Sequence, residues 1–184
     1  MSVDPTGPLP QEILQQTFGH PDFRGQQSRI IDRILDDQHA LVIMPTGMGK
    51  SLCFQIPAIL LRRQSDDRRQ LSLVISPLIA LMKDQVDSLQ AKGVDASFIN
   101  SSLTRSERMK RYENVAEGHY DLLYVTPERF RKAEFVEIIG KRKVGLLAVD
   151  EAHCISEWGH DFRPDYTRLR EFRELLNNPT TIAL

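Results

Sequence analysis

Three groups of side chains could do chemistry on a phosphate bond. "MPTGMGKS" (Met44–Ser51) places Gly47 and Gly49 ahead of Lys50 and Ser51. Glycines in such a loop let the backbone turn successive N–H groups inward around phosphate oxygens. Lys50 can then set its ammonium between β- and γ-phosphates, and the Ser51 hydroxyl can bind Mg²⁺. Thr46, Gly47, Met48 and Gly49 complete the cradle. A full phosphate loop of this kind carries Gly where Met44 stands, so this is the shorter TGxGKS form. About a hundred residues on, Asp150 and Glu151 end an apolar run. A carboxylate pair there could hold Mg²⁺ through Asp150 and orient and deprotonate an attacking water through Glu151. The third group follows at once: "DEAHCISEWGHDF" (Asp150–Phe162) continues into a glycine-punctuated stretch with the chain's single Trp. A zinc site from His153, Cys154 and His160 has only three candidates and matches no common spacing. Cys53 and Cys154 are expected to be small core residues.

Positioning these groups requires elements that end where they begin. "ALVIMP" (Ala40–Pro45) is a short apolar run stopped by Pro and Gly, as expected of a buried strand. "LSLVISP", "ASFIN", "DLLYVTP", "VGLLAVD" and "TTIAL" have the same character. Helical stretches lie between them. In "QSRIIDRILDD" Ile30, Ile31, Ile34 and Leu35 share a face, and after "LSLVISP" so do Leu78, Met82, Val86 and Leu89. Thr104 and Glu107 have the spacing of a capping box for a helix through Met109, Tyr112 and Val115. Thr126 followed by Pro127 predicts an N-cap and first helical residue. A polar amphipathic helix is expected over Asp165–Asn177, and "RRQSDDRRQ" (Arg62–Gln70) and "KRK" (Lys141–Lys143) as solvated connections.

Near-continuous apolar strands alternating with amphipathic helices predict an α/β fold with a largely parallel central sheet flanked by helices. In such folds ligands bind beyond the carboxyl ends of the strands, where both the phosphate loop and Asp150 fall. The 184 residues suit one domain: residues 1–10 as a flexible tail, 11–184 as the nucleotide-binding unit. Apolar residues at 41% are enough for a core, and a net charge of −1 requires any nucleic-acid surface to be a local patch. The first residues lack the pattern of a secretory signal, and no run approaches the ~18 apolar residues of a membrane span. With two cysteines and no disulfide framework, a reducing, cytoplasmic setting is expected. A sixth strand that stops at Leu184 suggests that the chain is a piece of a longer one.

"FGHPDFRGQQ", "PTGMGKS", "SPLIALMKDQV", "TPER" and "DEAHCISEWGHDFRP" occur in the order seen in RecQ-type DNA helicases of superfamily 2, which this sequence resembles from Phe18 to its end. The resemblance implies a RecA-like P-loop NTPase domain, the first of two such motor domains, using ATP and Mg²⁺. It implies adenine recognition by Phe18, Arg24 and Gln27; a Gln amide can satisfy the N6/N7 edge of adenine. It makes His153 a link between the nucleotide and DNA-sensing elements. Ser76 and Pro77, Asn100 and Ser101, and Thr126, Pro127 and Arg129 match segments that hold the DNA backbone, for which hydroxyls, amides and helix N-termini are suitable. Trp158, His160, Phe162 and Arg163 match the loop that separates this family from generic RNA helicases; an exposed aromatic ring can stack on an unpaired base for ~1–3 kcal/mol.

The implied activity is 3′→5′ unwinding of DNA, acting on single strands and duplex junctions in recombination and repair. The second motor domain of such helicases supplies an arginine finger, a group worth 10³–10⁵ in rate in phosphoryl transfer generally. This domain and the zinc-binding and winged-helix regions of longer relatives are absent from the sequence, so the 184 residues alone are expected to bind nucleotide weakly and to unwind nothing. Two other readings are an RNA helicase or other superfamily 2 translocase, and a nucleotide-gated DNA-binding module without turnover. The aromatic loop argues against the first, intact Lys50, Asp150 and Glu151 against the second.

Overall fold

The computed structural model describes residues 8–45, 47–63, 70–156 and 162–184. Six strands form one sheet: β1 (Ala40–Leu41), β2 (Gln70–Ile75), β3 (Ala96–Ile99), β4 (Leu122–Val125), β5 (Lys143–Val149) and β6 (Thr180–Ala183). Their order is β1-β6-β5-β2-β4-β3, and every neighbouring pair is parallel. Parallel neighbours need crossovers long enough to return the chain to the same edge. Here they include α3 (Leu52–Arg63), α4 (Ile79–Gln90), α5 (Arg105–Glu117), α6 (Ala133–Ile139) and α7 (Leu169–Leu175); α1 (Pro10–Phe18) and α2 (Gln27–Leu35) precede β1.

Alternation along the strands builds two cores. Leu146 and Ala148 of β5 pack on one face with Val74, Tyr124, Ile182 and residues of α1 to α4. Leu147 and Val149 face the other way, toward Leu73, Ile75, Tyr112 and Val115 of α5, Phe135 of α6 and Phe172 of α7. With both faces covered, β2 is buried at every position, including the polar Gln70 and Ser72. Cys53 and Cys154 lie in these cores, as expected, and Phe18 and Phe23 pack against the first.

The expected capping box is formed: the Glu107 amide donates to Thr104 Oγ1 (3.3 Å) and Glu107 Oε2 accepts from the Thr104 amide (2.8 Å). Four expectations are corrected. The first strand is not buried: only Ala40 and Leu41 pair with β6, on one side, so Leu41 is 74% and Ile43 92% exposed. Thr126 and Pro127 do take the N-cap and first position, but of a 3₁₀ turn, Pro127–Arg131, that precedes α6, and the Thr126 hydroxyl binds Glu128 Oε1 instead of capping a backbone amide. The helix expected from Asp165 likewise opens as a 3₁₀ turn, Pro164–Arg168, before α7. Within "KRK", Arg142 is buried rather than solvated, donating to the carbonyls of Val115 (2.6 Å), Gln70 (3.2 Å) and Tyr120 (3.3 Å), where it ties α5 to the start of β2. Residues 64–69 of the expected solvated connection lie outside the described residues, while Arg62 forms an ion pair with Asp121 at 2.9 Å. Among the described residues no helix is long and apolar enough to cross a membrane.

Candidate nucleotide site

The phosphate loop runs from the end of β1 into α3. Gly47 (φ 81°) and Gly49 (φ 72°) both take the left-handed conformation that side chains disfavour, which explains the two glycines. Met48, Gly49, Lys50 and Ser51 are half-buried, and Gly47 is exposed. Thr46 lies outside the described residues. Cys53 to Leu60 of α3 are buried, so the helix that follows the loop is held firmly in the core.

Gln27, the residue expected to read adenine, is 1% exposed and packs against this loop. Its Nε2 donates to the carbonyls of Met48 (3.0 Å) and Gly49 (3.1 Å), and its Oε1 accepts from the Arg24 amide (2.8 Å). The amide is thus committed to the loop backbone, and contact with a base would require those bonds to be exchanged. Beside it, Gly25, Gln26, Arg29, Met44 and Met48 contribute to a cleft of about 550 Å³. Arg24 is exposed, and Phe18 is half-buried at the end of α1.

Asp150 follows β5 directly, beside the end of β2: its amide donates to Ile75 O (2.8 Å), and Ser76 Oγ donates to Asp150 Oδ2 (3.1 Å). Burial, then the Glu151 carboxylate, raise the Asp150 pKa from its ordinary value; the Ser76 hydrogen bond, the Glu151 backbone and Lys50 act in the opposite direction. A buried carboxyl beside a second carboxylate is short of positive charge, which fits a site that takes up a divalent cation. Asp150, with Ser51 from the loop, would hold Mg²⁺. Glu151 sits at φ 52°, ψ 44°, and its Oε2 lies 3.2 Å from His153 Nδ1. Lys50 and His153 line one cleft with Ala152, Leu184 and residues 41–44, so the phosphate loop and the turn that follows the acidic pair open onto common space.

On the expected DNA side, Ser76 is buried and engaged with Asp150, and Pro77 is buried behind it. Asn100 is fully buried; its Oδ1 accepts from the Ser102 amide (3.0 Å) and hydroxyl (2.7 Å), shaping the turn that exposes Ser101. Thr126 and Arg129 are buried in the 3₁₀ turn after β4. Arg163 is exposed, Phe162 half-buried, and Trp158 and His160 lie outside the described residues. Pro77, Leu78, Glu151, His153, Cys154 and Arg163 line a second cleft, so residues on both sides of the aromatic segment share it with Glu151.

Two features were missed from sequence: the Gln27 contact with the phosphate loop and a buried Tyr166 whose hydroxyl reaches the Asp150 backbone. Only the "DFRPDY" continuation of the loop could have drawn attention to the tyrosine.

Comparisons with known proteins show the family. The family model for the DEAD/DEAH box helicase matches residues 24–184. The chain is 49% identical over 177 residues to the ATP-dependent DNA helicase RecQ of Haemophilus influenzae, covering 96% of this chain and 28% of that protein. It is 46% identical over 176 residues to RecQ of Bacillus subtilis, covering 95% and 29% respectively. The chain therefore spans under a third of the length of these relatives. In fold it resembles the DUF1998 helicase MrfA in a crystal structure with DNA and AMPPNP (TM-score 0.77, 15% identity, 100% of this chain and 26% of that one). It also resembles a hypothetical ATP-dependent RNA helicase from Sulfolobus tokodaii (TM-score 0.67, 18% identity, 95% and 49%). The chain belongs to the DEAD/DEAH box helicase family, has the fold of helicase motor domains, and is similar in sequence to RecQ helicases.

Proposed function

We propose that the chain is the ATP-binding motor domain of a RecQ-like 3′→5′ DNA helicase, which couples ATP hydrolysis to unwinding in recombination and repair in the cytoplasm or nucleoid. The observation that carries this reading is that Lys50 of the phosphate loop shares a cleft with His153, whose Nδ1 lies 3.2 Å from the Glu151 carboxylate, and is near enough to Asp150 to act on its carboxyl. Lys50 and the loop amides bind the phosphates, Ser51 and Asp150 hold Mg²⁺, and Glu151 orients the attacking water. Arg163 and the aromatic segment are the parts that meet DNA, single-stranded or at duplex junctions. The Haemophilus and Bacillus relatives, named as DNA helicases, support DNA over RNA as the partner. The 184 residues by themselves bind nucleotide and do not unwind.

The test is ATP turnover by the longest protein that carries this chain, with single-stranded DNA or RNA of matched length. Stimulation by DNA supports the reading; stimulation by RNA alone contradicts it.

A further inference from the structure

Tyr166 is 0% exposed, in the 3₁₀ turn Pro164–Arg168. Its hydroxyl donates to the main-chain carbonyl of Asp150 at 2.8 Å. That carbonyl belongs to the peptide joining Asp150 to Glu151, and the orientation of this peptide sets the φ angle of Glu151. Glu151 is left-handed, a conformation that costs a residue with a Cβ something and persists only where its surroundings over-determine it. The surroundings here are specific. The Asp150 amide is fixed to Ile75 O (2.8 Å), the Ala152 amide to Leu184 O (2.8 Å), and Glu151 O accepts from the Cys154 amide (2.9 Å). Tyr166 supplies the side-chain bond to the carbonyl between the first two. Burial raises the Tyr166 pKa far above the usual phenol range, so the hydroxyl keeps its proton and donates throughout the pH range of a folded protein.

The other end of this tyrosine leads toward the elements expected to meet DNA. The Tyr166 amide donates to Arg163 O (2.9 Å), and the Arg163 amide donates to Cys154 O (2.9 Å), closing the base of the aromatic segment. Asp165, next to Tyr166, pairs with Arg131 at 2.6 Å, and Arg131 ends the 3₁₀ turn that starts after Thr126. Phe130 of that turn stacks on Phe172 of α7 with ring centroids 4.1 Å apart. Tyr166 is thereby fixed to both segments and to the acidic pair.

We infer that Tyr166 is a positioning residue for phosphate-bond hydrolysis: its hydroxyl holds the Asp150–Glu151 peptide, keeps Glu151 left-handed, and ties the aim of the Glu151 carboxylate to the aromatic segment and the Thr126–Arg131 turn. This rests on the ATP-hydrolysing reading above. The bland alternative is a core tyrosine whose hydroxyl merely needs a partner, as buried tyrosines usually do. Tyr166→Phe separates the two, because it keeps the ring and removes only the donor.

The test uses the whole chain, isotope-labelled, as wild type and as Tyr166→Phe. The φ-sensitive three-bond coupling of Glu151 is read by NMR and the affinity for ATP by calorimetry on this chain, and hydrolysis under single-turnover conditions with single-stranded DNA on the longest protein that carries it. The expected result for Tyr166→Phe is a Glu151 coupling that leaves its wild-type value and a hydrolysis rate about ten-fold lower, a change of ~1.4 kcal/mol in the barrier. ATP affinity stays within about two-fold, since removing a group that acts through Glu151 leaves ground-state binding in place. An unchanged Glu151 coupling overturns the inference, as does an unchanged rate or a parallel loss of affinity and rate. If wild type binds no ATP, the proposed function fails, and the Glu151 coupling alone decides whether Tyr166 holds this peptide. If Tyr166→Phe does not fold, Asp165→Asn, which weakens the pairing with Arg131, is measured the same way; it must shift the Glu151 coupling in the same sense, and an unshifted coupling overturns the inference.

Discussion

Gln27 and Gly49 are in direct contact: the glutamine Nε2 donates to the Gly49 carbonyl at 3.1 Å, and a Cβ built on Gly49 would lie 2.6 Å from the same nitrogen. The helix that precedes β1 is in this way fastened to the phosphate loop. Gly49 is needed there both for its φ of 72° and for the room it leaves to Gln27.

Gln27→Ala should therefore lower the stability of the nucleotide-free chain. It leaves the carbonyls of Met48 and Gly49 and the Arg24 amide without their partner, a loss on the order of 1–3 kcal/mol. Chemical denaturation measures it. Gly49→Ala should cost as much or more, by displacing Gln27 and straining φ. Unchanged stability in both variants would mean that the contact is incidental.

Asp150→Asn should stabilise the nucleotide-free chain at neutral pH while weakening Mg²⁺-dependent nucleotide binding. Burial and Glu151 raise the Asp150 pKa in the folded state, so the contribution of this carboxyl to stability is fullest below its unfolded pKa and is lost as pH rises through the folded one. The advantage of Asn should thus be absent at acid pH and emerge as pH rises above the carboxylate range. The expected result is a higher Tm for Asp150→Asn than for wild type near pH 7, with no such difference at acid pH. A lower Tm for Asp150→Asn at neutral pH would refute this account of the site's electrostatics.

Trp158→Ala should leave ATP affinity unchanged and weaken binding of single-stranded DNA about ten-fold, within the ~1–3 kcal/mol a stacked base provides. Titrations with labelled nucleotide and labelled oligonucleotide read the two effects separately. Equal loss of both would make Trp158 a structural residue.

Thr104→Ala is a control on the fold alone. Removing the cap of α5 should cost about 1 kcal/mol and leave ATP affinity untouched, since this helix packs on the face of the sheet away from α3. A change in nucleotide affinity would show that the two faces are coupled through the sheet.

Much of the site could be read from sequence because it depends on local signals. Apolar runs stopped by Pro, Gly or Asp locate the strand ends, and Lys50, Ser51, Asp150 and Glu151 lie at those ends because both motifs terminate strands. The Thr104–Glu107 cap was legible for the same reason, since partners three residues apart leave a pattern in sequence. What escaped depends on distant partners. Arg142 looks like part of a basic turn until Val115, Gln70 and Tyr120 supply carbonyls around it. The run at 40–45 reads as buried, yet only β6 pairs with it, on one side. Gln27 shows nothing in its neighbourhood of a bond to residues 21 and 22 positions away, and Tyr166 nothing of one to Asp150.

The central claim is that this chain binds the phosphates of ATP with Lys50 in a site completed by Asp150. Calorimetric titration of wild type and Lys50→Ala with ATP, with and without Mg²⁺, tests it most directly. The account predicts saturable binding by wild type that Mg²⁺ strengthens, and loss of about ten-fold or more in affinity for Lys50→Ala, since one charge-assisted contact contributes ~1.5–3 kcal/mol. Equal affinities for the two proteins, or binding by wild type that Mg²⁺ leaves unchanged, would contradict it.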